Sequence, residues 1–214
     1  MKNTAIFLFD YSGVMATPWL DNGYTCYLVD IQHPTAYKEK GVTEESPGLY
    51  KVHWDLSIPW MPPVDPQHIA FVASFPPCDH LAVSGASWFK GKGLRRLGKS
   101  IEYFATSVEI CEWSRAPYLI ENPVSTISSY WRKPDHTFDP KDYSGFHKED
   151  NYTKKTCLWT GNGFVMPPVS IHEEMGEIDT NWVLKHGPGE DRKMLRSMTP
   201  KGFSKAVFEA NRYH

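Results

Sequence analysis

The sequence has few cysteines, and none of them form a close pair. Cys26, Cys78, Cys111 and Cys157 lie far apart in 214 residues, and no CxxC motif is present. Zinc fingers need cysteine or histidine ligands at short, regular spacings, and disulfide scaffolds are shorter chains with denser cysteines. We therefore expect reduced thiols in an intracellular protein that holds no structural zinc.

Long hydrophobic runs and an excess of basic residues are also missing. The N-terminal apolar run AIFLF is followed at once by Asp10 and is too short for a secretory signal. No stretch approaches the length of a membrane span, so we expect a cytoplasmic protein without membrane contact. The net charge is −2, which means that any nucleic-acid surface must be a local patch.

Short hydrophobic runs and helical patterns are what the sequence does contain. Apolar runs predict six strands, at 4–10, 24–30, 50–55, 68–75, 116–123 and 156–161. Apolar residues at three- and four-residue steps predict a helix over 93–114, and a last helix over 199–212 has Thr199 as its expected N-cap. Strands that alternate with helices predict one α/β domain over 1–214, with an open, mostly parallel sheet flanked by helices.

In such sheets, ligands bind beyond the carboxyl ends of the strands, so the residues that follow each strand are the candidates. The first strand leads into a turn formed by Asp10, Tyr11, Ser12 and Gly13. Small residues in this position let a ligand approach the backbone near a helix start. An ordinary strand–helix turn is the alternative for these residues taken alone.

Acidic residues end the second and third predicted strands. Asp30, followed by Ile31, comes about twenty residues after the first turn, where an acid often binds a ribose diol. Asp55, followed by Leu56, is similarly placed and is able to bind an adenine amino group. For both acids, simple solvation at a strand end remains the alternative.

The fourth strand ends in two prolines and a cysteine. Pro76 and Pro77 restrict two φ angles, so Cys78 is held rigidly at the edge of the sheet. Asp79 and His80 follow it, as in an exposed loop. Because the thiolate is the reactive form and needs a polar setting, these residues leave a reactive and a structural cysteine equally open.

The fifth strand ends in Glu121, Asn122 and Pro123. Glu121 lies within or just beyond an apolar run, where an acid is costly unless it has a partner or a task. A desolvated carboxyl has a raised pKa and is able to donate a hydrogen bond. A salt-bridged glutamate at a strand end is the alternative.

Four short motifs on successive strands together resemble the cytosine-C5 DNA methyltransferases. FDYSG resembles the cofactor loop of that family, VDI its ribose-binding acid, PPC its nucleophile motif, and ENP its ENV motif. The resemblance covers about residues 4–160. With TKKTCLW and RSMTPKGF, the chain is most similar to short phage-encoded members, so a bacterial or phage-infected cell is the expected setting.

The resemblance implies a Rossmann-like fold that uses S-adenosylmethionine. In that family's reaction the equivalent of Cys78 adds to C6 of a cytosine flipped out of DNA, and the methyl group is transferred to C5. Glu121 would hold N3 and the exocyclic amine, and Pro77, Asn122 and Pro123 would shape the base pocket. The residues that the resemblance assigns to the cofactor are Asp10, Tyr11, Ser12, Gly13, Asp30, Ile31, Asp55, Leu56 and Pro76.

Basic residues are expected at two places. The family carries an arginine-containing strand entry, QxRxR, and the matching place here reads YTKKTCLW, so Lys154 or Lys155 is the expected substitute. A glycine-rich stretch after the cysteine would either close on DNA phosphates or form the solvated start of a helix. Its basic residues are Lys90, Lys92, Arg95, Arg96 and Lys99.

Departures from the family pattern leave the substrate open. Met15 lies where the family usually has a further glycine, and only 162–198 is available as a reduced recognition segment. That segment is not basic, which is unusual for a reader of the DNA major groove. The alternatives are the same chemistry on a free pyrimidine nucleotide such as dCMP, or on RNA, and a non-catalytic nucleic-acid-binding protein.

Overall fold

The computed structural model describes residues 2–34, 43–58, 60–174, 176–182 and 197–212. The strands of this part of the chain are β1 (Thr4–Leu8), β2 (Thr25–Val29), β3 (Thr43–Ser46), β4 (Leu49–Val52), β5 (Ile69–Ser74), β6 (Tyr118–Pro123), β7 (His136–Phe138) and β8 (Thr156–Gly161). Its α-helices are α1 (Thr17–Asp21), α2 (Phe89–Lys92), α3 (Leu94–Ser114), α4 (Ile127–Tyr130) and α5 (Lys201–Asn211).

All the strands form one sheet in the order β3-β4-β2-β1-β5-β6-β8-β7. Strands β4, β2, β1, β5 and β6 are parallel, whereas β3 pairs antiparallel with β4, and β8 pairs antiparallel with β6 and β7. The prediction of an α/β fold with a mostly parallel sheet is therefore confirmed, and the order is compatible with a Rossmann-like fold. The chain reverses its direction across the sheet between β1 and β5, which is where such sheets bind ligands.

Two strands at opposite edges of the sheet were not predicted from the sequence. β3 has the sequence TEES and is largely exposed, and β7 has only three residues, HTF. Short polar strands at an edge protect the sheet from pairing with other chains, but they lack the apolar pattern that identifies a strand. The strand predicted at 50–55 also ends earlier, at Val52.

The core has two layers because β1 is buried on both faces. Ala5 and Phe7 face one layer, and Ile6 and Leu8 face the other, which is the alternation expected of a central parallel strand. The first layer contains α1 and α5, through residues such as Trp19 and Phe208. The second layer contains α3, through residues such as Phe104 and Ile110.

The start of α5 differs from the prediction. Thr199 is not its N-cap, because the helix begins at Lys201 and Pro200 occupies the N-cap position with extended backbone. The carboxylate of Asp150 accepts a hydrogen bond from the Gly202 N–H at 2.6 Å and so caps the helix from a distant part of the chain. A Cβ atom at Gly202 would collide with the Tyr143 carbonyl oxygen, so only glycine allows this approach.

The described part of the expected recognition segment packs against the domain. Asn211 on α5 exchanges hydrogen bonds of 2.9 and 3.0 Å with the backbone of Val165. The Tyr143 hydroxyl donates to the Pro167 carbonyl at 3.0 Å. Residues 183–196 of that segment lie outside the described residues. Among the described helices, none is both long and apolar enough to cross a membrane.

Candidate active site

The turn after β5 holds Cys78 in a tight backbone arrangement. The Cys78 carbonyl accepts hydrogen bonds from the N–H groups of Leu81 at 2.9 Å and Ala82 at 2.8 Å. Pro76 is buried, Pro77 is exposed, and Cys78 itself is half-buried. The two prolines and the turn therefore leave the thiol little freedom to move away from the carboxyl edge of the sheet.

The turn after β6 is joined to the turn after β5. The Val83 N–H donates to the Val124 carbonyl, and the Thr126 N–H donates to the Leu81 carbonyl, both at 2.9 Å. The side-chain amide of Asn122 donates to the Pro76 carbonyl at 2.9 Å and is almost fully buried. The motifs PPC and ENP, distant in sequence, therefore form one connected unit.

Glu121 and Lys154 act electrostatically on Cys78. Burial raises the pKa of Cys78 to about 11, the negative charges of Glu121 and Asp79 add to this, and Lys154 opposes it. Burial likewise raises the pKa of Glu121, against the charge of Lys154. Cys78 is consequently a thiol at neutral pH, and it shares its surroundings with a carboxyl group that is biased toward its protonated form.

The two candidate lysines are in different environments. The Lys154 ammonium group donates to the Met198 carbonyl at 3.3 Å, and its backbone N–H donates to the Asp139 carboxylate at 2.7 Å. Lys154 is half-buried, whereas Lys155 is exposed. Lys154 is therefore the lysine whose charge acts on the pKa of Cys78. Pro123, at the end of β6, pairs with Thr156 of β8.

Asp10 is a buried carboxylate at the end of β1, next to the switch point of the sheet. One oxygen, Oδ1, accepts hydrogen bonds from the Ser12 hydroxyl at 2.9 Å and the Gly13 N–H at 2.7 Å. The other, Oδ2, is buried without a hydrogen-bond partner among the described residues. Burial raises the pKa of Asp10, and the nearby charge of Asp30 adds to this effect.

The backbone around Asp10 is unusual. Phe9 has a φ of 56°, a value rare for a bulky residue and often found at functional sites. Gly13 has a φ of 70°, and a Cβ atom there would lie 2.9 Å from a Leu28 methyl carbon. Met15 is fully buried in the core layer that contains Trp19.

Asp30 lies at the end of β2, adjacent to Asp10. It is almost fully buried and accepts a hydrogen bond from the Gln32 N–H at 2.7 Å. Burial raises the pKa of Asp30 despite hydrogen bonds from Gln32 and the charge of His53. Tyr11 and Ile31, on the two loops, are about half-exposed, at 51% and 52%. At this part of the carboxyl edge of the sheet, the carboxyl groups of Asp10 and Asp30 are therefore buried, and the side chains of Tyr11 and Ile31 are exposed.

Asp55 already has several partners within the protein. Its carboxylate accepts hydrogen bonds from the Ser57 N–H at 3.0 Å, the Ser57 hydroxyl at 2.8 Å and the Tyr103 hydroxyl at 3.3 Å. It also pairs with the Lys99 ammonium at 3.2 Å. Burial opposes its ionisation, but the hydrogen bonds from Ser57 and Lys99 outweigh this and lower the pKa of Asp55. Leu56 beside it is buried.

The five basic residues expected to bind DNA are not equivalent. Lys99 is ion-paired with Asp55, and the Lys92 ammonium donates to the Asp79 carbonyl, which braces the turn after Cys78. The other three are exposed on α2 and on the first turn of α3: Lys90, Arg95 and Arg96. The structure therefore leaves three of the five projecting into solvent.

Tyr152 is a buried side chain close in sequence to Lys154 that the sequence alone did not single out. Burial raises the pKa of Tyr152, and the charges of Asp150 and Glu121 add to this. Its ring stacks on Trp182 with centroids 4.1 Å apart. The only signal in the sequence was its position two residues before Lys154.

The arrangement offers a nucleophile, an acid and a cation at one place, and two acids nearby. Among the described residues, no group of histidine, cysteine, aspartate and glutamate side chains is arranged to hold a metal ion. No protein-family model matches this chain, and no curated protein is significantly similar to it.

Proposed function

We propose that this protein is an S-adenosylmethionine-dependent methyltransferase that acts on C5 of cytosine in DNA through a covalent adduct at Cys78. The observation that carries the proposal is that the Asn122–Pro76 hydrogen bond joins the turn of Cys78 to the end of the strand that contains Glu121. At this edge of the sheet, the charges of Glu121 and Lys154 act in opposite directions on the pKa of Cys78. Nucleophilic addition to a pyrimidine ring needs a thiol, a hydrogen-bond donor for the ring and a compensating charge. These three side chains supply them.

The edge formed by β1 and β2 fits the proposed cofactor. S-adenosylmethionine carries positive charge and a ribose, and when bound it supplies an electrophilic methyl group. The buried Oδ2 of Asp10, which has no hydrogen-bond partner among the described residues, suits a cationic ligand. Asp30 would accept hydrogen bonds from a ribose diol, and Gly13, with its positive φ, would let a ligand approach the backbone.

Cys78 and Glu121 divide the chemistry of the base. The Cys78 sulfur loses its proton to solvent and forms a bond to C6, so the electron pair of the C5–C6 double bond becomes available at C5. There it would take the methyl group of S-adenosylmethionine, which would leave as a neutral thioether. Protonated Glu121 donates to N3 and stabilises the charge that moves into the ring. Loss of the C5 proton to solvent then restores the double bond and releases the Cys78 thiolate.

Lys154 makes the sulfur easier to ionise. Its positive charge opposes the rise in the pKa of Cys78 that burial and Glu121 cause. A lysine ammonium is a point charge and not a bidentate fork, so Lys154 contributes charge more than orientation. Orientation is supplied by Pro76, Pro77 and Asn122, through the rigid turn and its hydrogen bond.

Two measurements test this proposal. The first is transfer from labelled S-adenosylmethionine to duplex DNA, single-stranded DNA, RNA and dCMP, with the label located in the cytosine by mass spectrometry. The second uses DNA in which 5-fluorocytosine replaces cytosine. Fluorine cannot leave C5 as a cation, so the adduct persists and the protein mass rises by one methylated oligonucleotide.

The trapped adduct separates Cys78 from the other thiols. We expect Cys78→Ser to abolish the trapped adduct, whereas Cys157→Ser, a change at a buried cysteine near Glu121, retains it. Trapping by Cys78→Ser at the wild-type level would overturn the covalent mechanism. Label found only in dCMP would keep the chemistry but replace DNA with a free nucleotide. The absence of lysine and arginine from 162–182, and the hydrogen bond that ties Pro167 to Tyr143, favour that alternative.

A further inference from the structure

A cavity of about 310 Å³ lies beside the candidate active site. It is bounded by the turn after Cys78, by α2 and the start of α3, and by α4. Its lining includes four apolar or aromatic side chains and three polar ones: Phe89, Leu94, Leu97, Tyr130, His80, Lys90 and Thr126. Its volume is within the range of sites that bind small molecules.

Large apolar side chains at this cavity are exposed to solvent. Leu94 is 86% exposed and Tyr130 is 61% exposed, although both are residues that normally pack. Trp88, next to the lining residue Phe89, is 72% exposed. An exposed apolar and aromatic group of this kind is typical of a binding surface for a ligand with an apolar face.

The segments around the cavity are strongly basic in a chain that is acidic overall. Two segments, 80–101 and 122–134, contain seven lysines and arginines and no acid, although Asp79, Glu102, Glu121 and Asp135 border them. The whole chain has a net charge of −2. Two of the seven are ion-paired, Lys99 with Asp55 and Arg132 with Asp135. Lys90, Arg95 and Arg96 are exposed near the opening, so the ligand must tolerate or require negative charge.

Aromatic side chains flanked by cations are the pattern that binds single-stranded nucleic acid. Each unpaired base stacks on an aromatic ring, and the backbone phosphates contact lysine and arginine. A base inside a duplex is stacked and paired, so it cannot enter a cavity of this kind without leaving the helix. The absence of acids from both segments also disfavours a basic or neutral protein partner.

We infer that this cavity binds an unpaired base of single-stranded DNA, adjacent to the cytosine that reacts at Cys78. The base stacks against Tyr130 and Phe89, and the flanking phosphates contact Lys90, Arg95 and Arg96. His80 follows Cys78 by two residues, so the cavity and the thiol belong to the same turn. The inference rests on the proposed function for the choice of DNA and for the neighbouring cytosine, but the binding is measurable without catalysis.

The test is fluorescence anisotropy without S-adenosylmethionine, with fluorescein-labelled oligonucleotides at one fixed salt concentration. The ligands are a single strand of DNA, a hairpin duplex of the same sequence and the matching RNA strand, with a polyglutamate peptide as competitor. We expect the DNA strand to bind at least about tenfold more tightly than the duplex and to resist the peptide. Equal affinity for strand and duplex, tighter binding of RNA, or displacement by the peptide would each overturn the inference.

Matched variants assign the binding to the cavity. Tyr130→Ala should lose at least about tenfold in affinity and Tyr130→Phe should retain it, because the ring and not the hydroxyl stacks. Ile171→Ala, a change at another exposed apolar residue (55%), should have no effect. Equal losses in Tyr130→Phe and Tyr130→Ala, or no loss in either, would contradict the stacking role.

The phosphate contacts have their own test. The double variant Arg95→Ala and Arg96→Ala should bind more weakly and with a smaller salt dependence, whereas Lys201→Ala with Lys205→Ala on α5 should change neither.

The outcome is separable from that of the proposed function. If the protein transfers methyl groups to no acceptor but binds single-stranded DNA through Tyr130, the methyltransferase proposal fails and the cavity assignment stands. If it methylates duplex DNA and binds a single strand no more tightly, the cavity assignment fails and the proposed chemistry stands.

Discussion

The side-chain amide of Asn122 donates a hydrogen bond of 2.9 Å to the carbonyl oxygen of Pro76. This bond joins the end of β6 to the turn that carries Cys78, in a place where Asn122 is 1% exposed. The amide oxygen is buried without a hydrogen-bond partner among the described residues. Asn122 is therefore placed to hold the nucleophile turn and to offer one acceptor to a ligand.

Asn122→Ala should weaken both the fold and catalysis. It leaves the buried Pro76 carbonyl without its donor, which costs about 1–3 kcal/mol of unfolding free energy. We expect methyl transfer to fall by at least about tenfold because the thiol is held less firmly. Urea unfolding and labelled transfer measure the two effects. Asn22→Ala removes a 2.9 Å bond of the same type to the Pro18 carbonyl, at an exposed position, and should change neither.

Glu121→Gln should increase the reactivity of Cys78 toward iodoacetamide while it reduces methyl transfer. The negative charge of Glu121 raises the pKa of Cys78, which burial has already raised, so its removal lowers that pKa and yields more thiolate at a given alkaline pH. Transfer falls because glutamine cannot deliver a proton to the ring. Peptide mass spectrometry of the alkylated protein measures the rate at Cys78. Slower alkylation in Glu121→Gln would show that the two groups are not coupled as described.

Lys154→Met should have the opposite effect on alkylation. The Lys154 charge lowers the pKa of Cys78, so its loss raises that pKa further and slows the reaction below pH 11. Lys155→Met is the matched control, because Lys155 is exposed and Lys155 acts on the pKa of Cys157 instead. If both variants slow the alkylation of Cys78 equally, the distinction between the two lysines is wrong.

Asp10→Asn should bind S-adenosylmethionine at least about tenfold less tightly without loss of stability at pH 7. The asparagine oxygen still accepts from Ser12 and Gly13, and the buried negative charge is removed. Because burial raises the pKa of Asp10 in the folded state, ionisation destabilises the wild type as pH rises above 3.8. The unfolding free energy of the variant should therefore equal or exceed that of the wild type at neutral pH. Calorimetric titration and urea unfolding test this, with the exposed Asp21→Asn as a control that alters neither.

Lys99→Met should change DNA affinity little, in contrast to the paired change at Arg95 and Arg96. Lys99 and Asp55 form a partly exposed ion pair, so the cost to stability is about 1 kcal/mol or less. The charge of Lys99 is already offset by Asp55 and is not available to a phosphate. A loss of affinity as large as that of the Arg95 and Arg96 variant, measured by anisotropy, would contradict this.

Prediction from the sequence was most successful where an apolar pattern and a backbone restriction coincide. The apolar runs that form β1, β5 and β6 are buried on both faces of the sheet. Pro76 and Pro77 restrict their own φ angles whatever the fold, so the backbone before Cys78 was predictable. The edge strands β3 and β7 escaped prediction because both are too short to show a repeating apolar pattern. β3 is polar, and β7 contributes one core residue, Phe138. The capping of α5 by Asp150 escaped it because the donor and acceptor are far apart in sequence.

The sequence alone determined that a rigid thiol, a strand-end carboxyl group and two further acids follow successive strands. Their spacing also determined the class of sheet, since parallel strands bring such residues to one edge. Only the tertiary structure decided which charges act together: Lys154 and not Lys155 influences Cys78, and Asp55 is paired with Lys99. The physical reason is that pKa values and ion pairs depend on distance and burial in space, whereas the sequence records only order along the chain.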